Sequence, residues 1–130
     1  NIVAQQDGEA ALDASLSLAE DIITANPDIA AFFCINDPSA LGAAAAIKAA
    51  NKTGEIGVYS IDASPDGKQA LLDGEFTAVA AQVPLQIAEY SYEAAMKYIE
   101  GETDLGEKKV YLDSHLVLED EAKETLESWQ

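Results

Sequence analysis

An α/β fold, with a parallel sheet carrying helices on both faces, is predicted by three features of the sequence. Short β-rich runs alternate with longer alanine-rich stretches. Apolar residues in the longer stretches recur at helical spacing. Runs such as Ala30–Ile35 are apolar without alternation, which suits a strand buried on two sides. The 130 residues are enough for one core and too few for two full domains.

The first strand is expected at Ile2–Gln5, before a helix over Glu9–Ala25 on which Leu12, Leu16, Ala19 and Ile23 form one stripe. Asn26-Pro27-Asp28 ends that helix, because proline lacks the amide hydrogen that would continue it. A second strand at Ile29–Ile35 leads into a helix over Ser39–Asn51, and a third strand follows at Ile56–Ile61. Asp66–Asp73 is the next expected helix. Gly54 and Gly74 stand where left-handed C-terminal residues are wanted. Thr77–Ala81 reads as the fourth strand, and Leu85–Glu100 as a helix with Ile87, Tyr90, Ala94 and Tyr98 on one face, closed by Gly101. Gly101–Glu107 is the most linker-like stretch. A last strand is expected at Lys109–Asp113, continuing to Leu118, and an acidic helix with a solvated face at Glu119–Trp129.

The charge balance excludes several partner classes. Seven basic residues, all lysine, stand against 24 acidic ones, a net charge of −17. Such a surface repels nucleic acid and anionic membranes. Without arginine there is no guanidinium fork for a phosphate or carboxylate, which points to a neutral ligand. Cys34 is the single cysteine, so no intrachain disulfide forms, and its apolar setting reads as a small buried hydrophobe. No apolar stretch suits a membrane span and no signal-peptide pattern opens the chain. A start without methionine, inside an expected strand, leads us to expect a piece of something longer.

In open α/β sheets ligands bind beyond the carboxyl ends of the strands, where loops enter helix N-termini. There the sequence places Gln5-Gln6-Asp7, Asn36-Asp37, Asp62 and Gln82. Taken singly, Asn36, Asp37 and Asp62 also suit helix caps. As a set, amides that donate and accept, together with carboxylates that accept, match a ligand whose every oxygen does both, such as a sugar or polyol.

Other patterns carry less. Asp62–Asp73 mimics a calcium loop, but a strand precedes it, Pro65 occupies the fourth place and the closing glutamate is absent. Asp113, Ser114 and His115 are consecutive strand residues that alternate faces and cannot converge as a triad. Acidic strand ends with Lys109 evoke a phosphoacceptor domain, in which Asn36 and Gln82 would have no part. Tyr90 and Tyr98 read as core rather than a stacking surface. No glycine-rich phosphate loop occurs, so neither catalysis nor a cofactor is expected.

The runs Asn26-Pro-Asp-Ile-Ala-Ala-Phe-Phe-Cys-Ile-Asn-Asp37, Ala40-Leu-Gly-Ala43, Ile61-Asp62-Ala-Ser-Pro-Asp-Gly67, Asp73-Gly74 and Ala80-Ala-Gln-Val-Pro84 resemble the C-terminal half of periplasmic sugar-binding proteins of the ribose/galactose type. The resemblance implies that Asn36, Asp62 and Gln82 bind sugar hydroxyls. Two departures stand out: the usual glycine-aromatic pair before the aspartate is Ser60-Ile61, and the stacking aromatic near the first helix falls at Ala10. Gln6 and Asp7 become candidates to reach in instead. The resemblance further implies a division into a ligand-binding C-terminal lobe (residues 1–82), a helix and strand belonging to an N-terminal lobe (83–113) and a return to the C-terminal lobe (114–130). The 83–113 segment is then expected to fold back on its own sheet or to be exchanged in a swapped dimer. The implied role is sugar delivery to the permease of an ABC importer from an extracytoplasmic site, periplasmic or lipid-anchored. The alternative is the effector domain of a LacI-type repressor, whose favoured Gly-Phe-Asp-Asp-type sequence is absent here.

Overall fold

The computed structural model describes residues 1–102, 104 and 109–129. Along the chain it forms α1 (Leu12–Ala25), β1 (Ala31–Phe33), α2 (Asp37–Ala49), β2 (Gly57–Asp62), α3 (Pro65–Leu72), β3 (Ala78–Ala81), α4 (Pro84–Ile99), β4 (His115–Val117) and α5 (Glu119–Glu124). The sheet order is β1-β2-β3-β4, with the first three strands parallel and β4 antiparallel to β3. The expected α/β class and largely parallel sheet are therefore present, with one antiparallel edge.

Helix starts follow local chemistry. Pro38 and Pro65 occupy the first turns of α2 and α3, where a missing amide hydrogen costs nothing. Asn36 caps α2, its Oδ1 accepting from the Ser39 amide at 3.0 Å, and Ser64 caps α3, its Oγ accepting from the Gly67 amide at 3.1 Å. The first helix begins at Leu12 rather than at the expected Glu9, because Glu9 and Ala10 turn through φ of 55° and 54°. Asp7 supports that turn by accepting from the Glu9 amide at 2.9 Å.

Along the strands Val58, Ser60, Val79, Ala81 and Val117 are buried, whereas Tyr59 and Leu116 between them are exposed. The buried side meets Ala40, Ala43, Ala44 and Ile47 of α2, Ala70 and Leu71 of α3, and Ala122 of α5. α1 packs on α2, adding Ala19 and Ile23. The side of the sheet turned away from this core carries Phe33, 73% exposed.

Lys68 is fully buried in α3, and its ammonium donates to the carbonyls of Thr125 and Ser128 at 2.7 and 2.6 Å. Burial holds this lysine below its ordinary pKa. The clasp keeps residues after Glu124 in turns, so the last helix stops well short of the expected Trp129.

Three further expectations are corrected. Ile2–Gln5 joins no strand: Ile2 and Val3 are exposed, and Ala4 lies in a depression along α1 beside Leu18 and Ile22. The outer edge of the short β1 offers few ladder bonds against an ordering cost of about 1–2 kcal/mol per residue. Lys109–Asp113 is not a strand either; only His115–Val117, from its expected continuation, finds partners on β3. Finally, of the two arrangements expected for residues 83–113, the first is not taken: α4 does not fold back on the sheet. It buries no residue, and Leu85, Ile87, Tyr90, Tyr92 and Tyr98 are all exposed. Pro84 opens this helix directly after Gln82 and Val83. Of the linker-like stretch, Thr103 and Leu105–Glu107 lie outside the described residues.

Candidate functional site

Asp62 closes β2, Gln82 directly follows β3, and Asn36 precedes α2, so the parallel sheet delivers all three to one rim. Gln82 Nε2 donates to Asp62 Oδ1 at 2.7 Å, and the Asp37 backbone amide donates to Asp62 Oδ2 at 3.4 Å. Asn36 is tied in from the other side, its Nδ2 donating to the Ala10 carbonyl at 3.2 Å while its Oδ1 caps α2. Capping and membership of a shared rim are therefore not alternatives for Asn36. The Gln82 amide oxygen and the remaining lone pairs of Asp62 are left to accept from hydroxyls.

Asp37 is placed differently. Its side chain, 1% exposed, points inward, with Oδ1 accepting from the Ser60 hydroxyl at 2.6 Å and Oδ2 from the Ser64 amide and hydroxyl at 2.8 and 2.6 Å. As the first residue of α2 it points about a quarter-turn away from its neighbour Asn36, so its carboxylate serves the interior rather than a ligand. Gln6 is also turned aside, lining the depression along α1 with Asp21 and Ile22. Asp7 lies in the turn that Asn36 grips, with one carboxylate oxygen engaged by the Glu9 amide.

Ser60 and Ser64 escape sequence reasoning as site residues. For Ser60 the signal is a hydroxyl inside an otherwise apolar strand, one of the two departures noted above. The single cysteine is inert: burial pushes the Cys34 thiol up to about 11. Among the described residues no group of three or more His, Cys, Asp or Glu is arranged to hold a metal ion, which leaves the calcium-like Asp62–Asp73 run without a ligand cage.

Asp62 sits above its ordinary pKa. Partial burial is the main cause and the Asp37 carboxylate adds to it, while the Asp37 amide and the Gln82 bond pull the other way. The folded state therefore holds the Asp62 proton more tightly than the unfolded chain, so the ionised group costs stability that appears as pH rises through the carboxylate range. Asp62→Asn should melt higher than the wild type at pH 7, with the difference vanishing below about pH 4. Thermal melts across that range check this; a lower melting point for the variant at pH 7 would reverse the sign.

Curated relatives point one way. Over 102 residues the chain is 37% identical to the ribose import binding protein of Salmonella typhimurium, a match covering 78% of this chain and 34% of that protein. It is 35% identical over 123 residues to the D-apiose import binding protein of Actinobacillus succinogenes, covering 94% and 39%. This chain thus spans between a third and two fifths of these relatives. A galactofuranose binding protein superposes with a TM-score of 0.88 at 33% identity, over 98% of this chain and 44% of that one. An ABC transporter periplasmic solute binding protein from Actinobacillus succinogenes with bound D-allose gives 0.87 at 27% identity, over 95% and 43%. With the periplasmic binding protein domain model matching residues 1–103, the chain belongs to that family, among relatives that bind sugars for import.

Proposed function

We propose that this chain is the C-terminal lobe of an extracytoplasmic solute-binding protein that captures a monosaccharide or related polyol for the membrane permease of an ABC importer. It binds and does not catalyse. The observation that carries the reading is the placing of Asn36, Asp62 and Gln82 at one rim of the sheet, Gln82 bonded to Asp62 and Asn36 held by the Ala10 carbonyl, each with polar atoms left for hydroxyls. Lysine is absent from that set, and the buried Lys68 is engaged elsewhere, which favours a neutral ligand. The roles of the Salmonella and Actinobacillus relatives, both import binding proteins, favour the importer over a transcription repressor and a location outside the cytoplasm.

The division into residues 1–82, 83–113 and 114–130 is supported by the unburied α4. Residues 110–114 run beside its start, the two flanking an open groove of about 330 Å³ lined by Gln82, Val83, Ile87, Val110, Tyr111 and Leu112. Both segments would complete another lobe, and the sugar would lie between the lobes as they close.

Titration of the ¹⁵N-labelled chain with ribose, allose and galactose tests the reading. Binding should be saturable and weak, in the millimolar range, because one lobe supplies only part of the contacts. Shifts should centre on Asn36, Asp62 and Gln82, and Asp62→Ala should weaken binding about tenfold or more, the worth of a hydrogen bond to a charged group. No shift at this rim with any sugar, or shifts unaffected by the substitution, would reject it.

A further inference from the structure

We propose that Asp37 and Ser60 are positioning residues for the carboxylate of Asp62, a role that rests on the sugar-binding reading above. Asp62 and Ala63 have φ of 122° and 57°, a region that side chains with a Cβ seldom occupy, so the turn presenting Asp62 would relax unless held. Asp37 holds it from both sides. Its Oδ1 takes the hydroxyl of Ser60, two residues before Asp62, and its Oδ2 takes the amide and hydroxyl of Ser64, two residues after. The backbone amide of Asp37 meanwhile meets Asp62 Oδ2.

The clamp is built for its place. Gly67 leaves room for it, since a Cβ there would overlap the Asp37 carboxylate. The Ser60 hydroxyl prefers Asp37 at 2.6 Å to the Ile61 carbonyl at 3.4 Å. Such bonds, formed away from water, reinforce one another, and they leave Asp62 ordered before any ligand arrives. The neighbouring Gln82 bond then completes the orientation of the carboxylate.

The test follows two signals by NMR in the wild type, Ser60→Ala and Asp37→Asn: the ¹³C titration of the Asp62 carboxyl and the sugar titration described above. Ile47→Val, which trims the same core away from the rim, controls for lost stability. Ser60→Ala and Asp37→Asn should weaken sugar binding about threefold or more as preorganisation is lost. Ser60→Ala should also move the Asp62 titration toward the ordinary carboxylate range as the turn opens to water, a shift that Asp37→Asn makes in any case by removing a neighbouring charge, whereas Ile47→Val lowers the melting point and leaves both signals unchanged. Variants that lose stability yet keep wild-type Asp62 titration and sugar affinity overturn the proposal. If the wild type binds no sugar, the sugar reading falls by itself. The Asp62 titration and the Gln82 side-chain amide shift in Ser60→Ala then still decide positioning: moved they support it, unmoved they overturn it.

Discussion

Asp37→Ala is expected to cost about 3–5 kcal/mol of folding stability, the largest effect of any single side-chain truncation near the rim. Its buried carboxylate accepts three hydrogen bonds from Ser60 and Ser64, each of a kind worth about 1.5–3 kcal/mol and not additive. Truncation also strands those donors in the interior and leaves a void beside Gly67. For a chain of this length the melting point should fall by roughly 10 °C or more. Asp37→Asn, which keeps shape and one acceptor, should recover a large part. Urea unfolding of both variants measures this, and a loss below about 1 kcal/mol for the alanine variant would mean that the network contributes little.

The second large effect is expected at Gly42, where α2 crosses α1. A Cβ there would overlap the Leu12 carbonyl and stand 2.8 Å from the Leu16 amide nitrogen and 3.0 Å from Ser15 Cβ. The first two are backbone atoms, so no rotamer change relieves the clash; the helices must part. Helix propensity alone would make Gly42→Ala stabilising by about 1 kcal/mol. The steric cost of overpacking, about 1–3 kcal/mol and sometimes more, outweighs that gain, and the larger Gly42→Val should lose about 3 kcal/mol. Hydrogen exchange should show α1 losing protection before β2 and β3, because separation removes Ala19 and Ile23 from the core. A melting point raised by Gly42→Ala would show that the crossing has slack.

Part of this outcome was readable from residue order. In a parallel α/β chain every strand ends at the same rim, so Asn36, Asp62 and Gln82 could be assigned to one edge from their positions alone. Asp37 could not be assigned its direction. Adjacent helix positions point about a quarter-turn apart, and which one faces inward depends on what lies there, here Ser60, Ser64 and the space over Gly67. The turn through Glu9 and Ala10 was equally hidden, because neither residue favours positive φ and the conformation is held by Asp7 and by the distant Asn36.

The order of residues by itself determined the α/β class, the places of most helices and strands, the anionic and arginine-free surface, and the amide and carboxylate chemistry at the strand ends. These follow from local propensity, periodicity and composition, which act over a few neighbouring positions. Tertiary structure alone decided which polar groups face the rim and which the interior, that α4 stands unburied, and that Ile2–Gln5 and Lys109–Asp113 remain outside the sheet. Each of those outcomes depends on whether a segment finds a partner across space, and pairing between distant segments leaves no mark on the sequence of either one alone.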